Sequence, residues 1–217
     1  MKRRDFLLAL GATPLASACT NNLSMKTLAV TVNSRLGDSH GFDPDYPDRI
    51  PYASMAVRLP NIDRALVILG RAENNTLHWY SADRGALVTR HGRLVSTVGF
   101  QEDLRATHFG VPDFLEPGQN YDPGKVYRRQ LDLSPGNRFG IPLVSTLVVG
   151  AVSDLAVGKR RLRLRLLEER AQADLLAWKF VNRFWVDEAG FVWRSEQQAA
   201  PGMPPFVMEV MKPYGGA

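Results

Sequence analysis

Cysteine is almost missing from this sequence, since Cys19 is the only one among 217 residues. A single thiol cannot close a disulfide within its own chain, so an internally cross-linked domain is excluded. Long apolar runs are missing as well. The run over 6–15 is interrupted by Gly11 and Pro14 and is shorter than the roughly 20 residues that span a bilayer. The sequence therefore predicts neither a disulfide scaffold nor a helical membrane protein.

Several motifs of enzymes and metal sites are also missing. The chain has no HExxH, GxxxxGK[ST] or GxGxxG pattern, and its four histidines form no local cluster with acidic residues. The acidic pairs Asp43/Asp45 and Glu168/Glu169 could serve glycoside hydrolysis, although neighbouring surface acids are usually only solvated. We predict a protein that is not an enzyme and has no catalytic residue, metal or dissociable cofactor.

The charge balance argues against nucleic acid as a partner. The formal net charge is +5, from 27 basic and 22 acidic residues. Without residues 1–18, which hold three cations and one anion, 24 basic and 21 acidic residues remain. This small surplus is not the basic footprint of a nucleic-acid-binding domain.

The N-terminus has the order of an export signal. Residues 2–4 are Lys-Arg-Arg, an apolar run follows over 6–15, and the small residues of 16–18 come directly before Cys19. This order predicts that residues 1–18 are a signal peptide that is removed. Residues 19–25 then form a tether, and 26–217 form a single β-rich domain.

Cys19 and the residues before it resemble a bacterial lipobox. The resemblance implies a diacylglyceryl group and an acyl chain on Cys19, and Thr20 in the next position implies sorting to the outer membrane. A small buried thiol or a catalytic cysteine are the alternatives, but neither explains the preceding charge pattern. Arg3 and Arg4, followed by Asp-Phe-Leu, also resemble a twin-arginine signal, so the export route stays open.

Short strand-like runs separated by turn residues occupy most of the chain. They predict an all-β antiparallel sandwich or open barrel of about ten strands, with one or two helices near the N-terminus. The first helix is expected over 23–36, and loops are expected over 38–51 and 101–124. In KRRLRLRLLEE, leucines alternate with arginines, which predicts a strand with one buried and one basic face, with a helix as the alternative. The predicted strands are 54–59, 65–72, 76–82, 86–90, 93–100, 125–133, 143–152, the KRRLRLRLLEE segment, 175–186, 191–197 and 206–211.

Aromatic and basic residues supply the candidate contact sites. The basic face of the KRRLRLRLLEE strand could meet an anionic polysaccharide or lipid headgroups, or could simply be solvated and protect a sheet edge. Tryptophans near arginines could bind sugar rings, or could serve core packing and cross-strand pairs. The candidate polymer or partner contacts are Arg161, Arg163, Arg165, Trp79, Trp185 and Trp193.

Two blocks carry a family likeness. The first is PYASMAVRL with the following ALVILGRAENNTLHWYSADRGALVTRHGRLVSTVGF, and the second is FVNRFWVDEAGFVWRSEQQAAPGMPPFVMEVMKP. They resemble the group 4 capsule or exopolysaccharide lipoproteins of the YjbF/GfcB type. In the second block the likeness rests on Asn182, Phe184, Trp185, Gly190, Ser195, Gln197, Pro201, Glu209, Lys212 and Pro213.

The resemblance implies an all-β lipoprotein without catalytic activity, anchored at the periplasmic face of the outer membrane. It also implies a role in polymer secretion beside an outer-membrane barrel protein and a periplasmic component. Two other hypotheses stay open. A lipid or lipoprotein carrier would need an apolar cavity lined by residues such as Leu164 and Phe180, and a polymer hydrolase would need two carboxylates facing each other across a groove.

Overall fold

The described part of the chain folds almost entirely into β-strands. The computed structural model describes residues 42–60, 64–82 and 84–215. A four-residue helix, α1 (Tyr46–Arg49), precedes the strands, and a 3₁₀ turn occupies Asp174–Leu176. The strands are β1 (Ser54–Arg58), β2 (Ala65–Glu73), β3 (Thr76–Tyr80), β4 (Ala86–Arg90), β5 (Arg93–Val98), β6 (Asp103–Phe109), β7 (Val126–Ser134), β8 (Arg138–Val157), β9 (Arg160–Ala173), β10 (Trp178–Val186), β11 (Val192–Gln197) and β12 (Phe206–Lys212).

These twelve strands form one antiparallel sheet in which neighbours along the chain are neighbours in space. The order runs β5-β4-β3-β2-β1-β12-β11-β10-β9-β8-β7-β6, so β1 pairs with β12 and the two outer strands are β5 and β6. Side chains connect those two strands. Ser96 Oγ donates to the Arg105 carbonyl at 3.0 Å, and the Leu104 amide donates to Thr97 Oγ1 at 2.9 Å. The sheet is therefore a nearly closed, up-and-down barrel.

The all-β prediction is confirmed, with differences in detail. The structure has twelve described strands instead of about ten; the one with no predicted counterpart is β6, which lies in the region predicted to be irregular. Strand β8 also runs well beyond the predicted 143–152. The predicted loop before β1 contains α1. The helix predicted over 23–36 lies outside the described residues.

The arginine–leucine alternation does form a strand, and the helical alternative is wrong. Strand β9 pairs with β8 on one side and β10 on the other. Leu164 is fully buried, whereas Arg163 and Arg165 on either side of it are exposed. The period-two pattern thus separates an apolar face from a basic one, as predicted.

Side chains and loops fill the barrel interior. A large apolar cluster includes Trp79 and Phe206, and a second one includes Phe184. Irregular segments enter the interior from the loops as well. In the β6–β7 connection, Phe114 has only 1% of its surface exposed, and in the β11–β12 connection Ala200 has 0%. The barrel is a packed body and not an open tube.

The segment before β1 covers part of the outer wall. Phe42 is buried in a third apolar cluster with Leu66 of β2 and Met211 of β12, and Tyr46 of α1 packs against that cluster. The Lys212 ammonium group also donates to the Ile50 carbonyl at 2.6 Å. The described chain therefore starts on the outer face of β12, β1 and β2.

Candidate functional site

A cluster of charged side chains lies inside the barrel, centred on Glu169 of β9. This carboxylate has 0% of its surface exposed. It accepts hydrogen bonds from Arg93 Nη1 at 2.8 Å, Ser145 Oγ at 2.8 Å and Asn182 Nδ2 at 2.9 Å, and from both terminal nitrogens of Arg129. Four strands, β5, β7, β8 and β10, deliver these partners because alternate residues of each strand point inward.

The cluster holds its acidic member ionised. Burial opposes the charged form, but the positive charges of Arg129 and Arg93 and their hydrogen bonds outweigh it, so the pKa of Glu169 lies far below its ordinary value. The same balance, with Asp113 and Glu169 as the opposing charges, raises the pKa of Arg93. Two cations and two carboxylates compensate one another, which is the condition for burying charge without a large cost.

The β6–β7 connection is fastened to this cluster. Asp113 binds the Arg93 guanidinium through Nε and, at 3.1 Å, through Nη2. The Arg93 guanidinium lies 4.9 Å from the Phe114 ring centroid and 5.1 Å from that of Phe184, within the range of a cation–π contact with each ring. We call residues 110–125 the plug segment, because its residues Asp113, Phe114 and Leu115 are buried and the last two pack in the apolar cluster of Phe184.

The carboxylates considered for hydrolysis are not arranged for it. Glu168 and Glu169 point to opposite faces of β9, since Glu168 pairs with Arg183 on the outer wall and Glu169 lies inside. Asp43 pairs with Arg49, and the backbone amide of Asp45 donates to Asp43 at 2.8 Å. Within residues 42–60, 64–82 and 84–215, no group of three His, Cys, Asp or Glu residues could hold a metal ion.

The three candidate arginines lie on an arm that extends from the barrel. Strand β10 pairs with β9 only as far as Arg165, whereas β8 and β9 stay paired out to Val157 and Arg160. We call residues 152–165 the arm. Arg161, Arg163 and Arg165 line up at alternate positions of one edge strand, and Arg161 has 81% of its side chain exposed.

The opposite face and the tip of the arm are fixed to the body. Val157 and Leu164 are completely buried. At the tip, Lys159 forms ion pairs with Asp45 and, at 2.8 Å, with Asp48, next to α1. Arg160 Nη1 donates to the Met211 carbonyl at 2.6 Å. The arm therefore lies against β12 and α1 with its arginine face toward solvent.

The three candidate tryptophans have different environments. Trp79 is in the core with 3% of its surface exposed and donates to Thr89 Oγ1 at 2.9 Å, so its position supports the packing alternative. Trp185 is half-buried, with the Arg194 guanidinium 5.0 Å from its ring. Trp193 is also half-buried; its Nε1 donates to Asp187 at 2.8 Å, and Arg160 lies 5.6 Å from its ring.

Trp193 therefore contacts the arm through Arg160, whereas Trp79 lies in the core and does not contact it. The contact between Arg160 and Trp193 was not foreseen, because nothing local in the sequence shows that the arm bends back toward β11. Strict alternation along β9 does place the adjacent glutamates on opposite faces, but it groups Glu168 with the leucines and Glu169 with the arginines, so no sequence pattern indicated the inner position of Glu169. Cys19, with the signal peptide and the tether, lies outside the described residues.

The interior offers little to the carrier hypothesis. Leu164 is fully buried on the arm, and the Phe180 ring stacks on Trp178 with centroids 4.0 Å apart. The two apolar clusters and the charged cluster occupy the space between the walls.

Among the described residues, no helix has the length and hydropathy needed to cross a membrane.

Comparisons with known proteins agree with this architecture. The family model described as group 4 capsule polysaccharide lipoprotein gfcB, YjbF matches residues 39–211. The uncharacterized lipoprotein GfcB of Escherichia coli (strain K12) is 29% identical over 216 residues, 97% of this chain and 99% of that protein. The uncharacterized lipoprotein YjbF of the same organism is 28% identical over 150 residues, 68% of this chain and 69% of that protein.

A solved structure also shares the fold. The crystal structure of the hypothetical lipoprotein YmcC from Escherichia coli (K12) superposes with a TM-score of 0.69 at 29% sequence identity. The match covers 76% of this chain and 89% of that one. The twelve-stranded sheet is therefore a fold that an experimentally determined relative shares.

Proposed function

The chain belongs to the group 4 capsule polysaccharide lipoprotein family, and on that basis we propose that it is a non-enzymatic accessory protein of capsule or exopolysaccharide secretion. The observation that carries the proposal is the extent of the family match, which covers residues 39–211 and so includes all twelve described strands except the last residue of β12. The proposal agrees with the interior chemistry, in which Glu169 and Asp113 are both engaged by arginines.

The protein works from a lipid anchor at the periplasmic face of the outer membrane. In this proposal residues 1–18 are cleaved, Cys19 carries the diacylglyceryl group and an acyl chain, and residues 19–25 form the tether. Two or more acyl chains give stable anchoring.

Its working surface is the outside of the barrel. Packed clusters and the plug segment fill the interior, which leaves the outer wall and the arm for contacts with other molecules. The protein acts as a scaffold or polymer-contacting module beside an outer-membrane barrel protein and a periplasmic export component. A carrier role finds no supporting feature in the described interior.

Deletion and complementation in the native host test the proposal. Released and cell-retained polysaccharide are quantified in the deletion strain, and in strains complemented with the wild-type chain or with Cys19→Ser. We expect deletion to lower the released fraction and only the wild-type chain to restore it. Normal release after deletion would refute a role in secretion, and full rescue by Cys19→Ser would refute the need for the anchor.

A further inference from the structure

We propose that the arginine face of the arm binds an acidic polysaccharide, with Arg161, Arg163 and Arg165 contacting successive carboxylate groups of the polymer. The inference rests on the proposed function and deepens it, because it assigns both a site and a ligand class. The three guanidinium groups lie on the solvent side of β9, where Arg165 forms the last residue pair with β10 and Arg161 and Arg163 lie beyond it.

Charge on this face is nearly all of one sign. The residues opposite the three arginines on β8 are Ala156, Asp154 and Val152. Asp154 is the only carboxylate among them and lies 3.9 Å from Arg161. Arg163 and Arg165 form no ion pair with any residue in the described ranges, and Arg165 Nη1 has only a long, 3.5 Å contact with the Gly150 carbonyl. The face is therefore complementary to an anion.

The geometry favours an extended ligand. Alternate residues of a strand are roughly 6.6 Å apart, so the three guanidinium groups form a row about 13 Å long. Each guanidinium can hold a carboxylate through two parallel hydrogen bonds. A polymer with repeated acidic groups can engage several arginines at once, and linked contacts bind more tightly than a single one.

The arm is also held rigid before any ligand arrives. Its other face buries Leu164 and Val157, and its tip is fixed through Lys159 to Asp48 and through Arg160 to the Met211 carbonyl. A preformed row loses little conformational freedom on binding. If the arm served only to cover the outer wall, its apolar face and tip contacts would suffice, and the solvent face would not require three arginines.

A polymer fits this face better than a lipid surface does. Surfaces that insert into membranes combine cations with large exposed apolar side chains. On the solvent face of the arm the exposed large apolar residue is Val152, at 39% exposure. The row is narrow, charged and polar, as a contact with a linear acidic chain requires.

The test measures binding of the mature chain carrying Cys19→Ser, so that attached lipid cannot itself bind vesicles. The probes are polygalacturonate, neutral dextran, and vesicles of phosphatidylglycerol with phosphatidylcholine. The test variant is R161Q/R163Q/R165Q. The matched control is R128Q/R170Q/K179Q, which removes three exposed cations from the outer wall of β7, β9 and β10.

We expect wild type to bind polygalacturonate and not dextran or vesicles. The arm variant should bind about tenfold or more weakly, as the loss of three exposed ion pairs of ordinary strength predicts. The control should stay within about threefold of wild type. The single variant R163Q, which is least able to disturb folding, should bind roughly two- to threefold more weakly, and thermal melting checks that every variant is folded.

Three results would overturn the inference: equal polygalacturonate binding by wild type and the arm variant, greater loss in the control, or binding of phosphatidylglycerol vesicles without polymer binding. The deletion strain separates this failure from that of the proposed function. If deletion lowers polymer release but the wild-type chain does not bind polygalacturonate, the binding inference is refuted and the proposed function is retained. If deletion leaves release unchanged, the proposed function falls and the inference with it.

Discussion

Replacing the buried carboxylate Glu169 by glutamine should be among the most damaging single changes in the barrel. The substitution preserves the shape of the side chain but removes its charge, and the new amide group presents donors to the donors of Arg93 and Arg129. Arg93 keeps Asp113 as a partner, whereas Glu169 is the only carboxylate that binds Arg129 among the described residues. Breaking a buried ion pair from one side costs about 3–5 kcal/mol.

Urea unfolding, followed by tryptophan fluorescence, measures this loss. For a chain of this size, a loss of about 3–5 kcal/mol in the free energy of unfolding corresponds, in thermal unfolding, to a Tm that is lower by roughly 6–20 °C. Glu168→Gln is the matched control, because the adjacent glutamate makes an outer ion pair with Arg183 at 3.0 Å that is partly exposed. The control should cost less than about 1 kcal/mol. Equal losses in the two variants, or a loss below about 1 kcal/mol for Glu169→Gln, would refute the reasoning.

Two further predictions concern the same cluster. The pKa of Glu169 is lowered in the folded state, so near the ordinary glutamate value of 4.5 the unfolded chain takes up a proton that the folded chain does not. This contribution to stability is therefore constant at neutral pH and is lost as the pH falls below that value. Urea midpoints between pH 7 and 3 should fall more steeply for wild type than for Glu169→Gln, and parallel curves would contradict the low pKa. Removing Asp113 should loosen the plug segment, because Asp113→Ala deletes the ion pair to Arg93 and the acceptor of the Leu115 amide. Hydrogen exchange of the plug-segment amides should accelerate about tenfold or more, as the loss of a hydrogen bond between charged groups predicts. Exchange of the β9 and β10 amides should stay unchanged. Unaltered exchange in the plug segment would show that it does not depend on this contact.

Local alternation predicted much of the sheet but left some strands short or unseen. Strand β9 was predicted because leucines and arginines alternate without interruption. Strand β8 was predicted too short at both ends, since the predicted segment began after Gly140 and ended at residue 152, whereas the strand runs from Arg138 to Val157. Strand β6 was missed because the prolines and glycines that follow it dominate the composition of that region.

The charged cluster could not be assembled from sequence. Arg93 and Glu169 are 76 residues apart, and Arg129 and Glu169 are 40 apart. Only the order of the strands brings them together, and no sequence period encodes that order. The arm shows the same limit: its two faces could be predicted, but its contact with Met211 and α1 depends on a bend that no local pattern specifies.

The proposed role in secretion is tested most directly by the fraction of total polysaccharide that the deletion strain releases. If the protein assists export, that fraction falls and polymer stays with the cells, and the wild-type chain restores release. If the released fraction equals that of the parent strain under conditions in which polymer is made, the protein has no part in export.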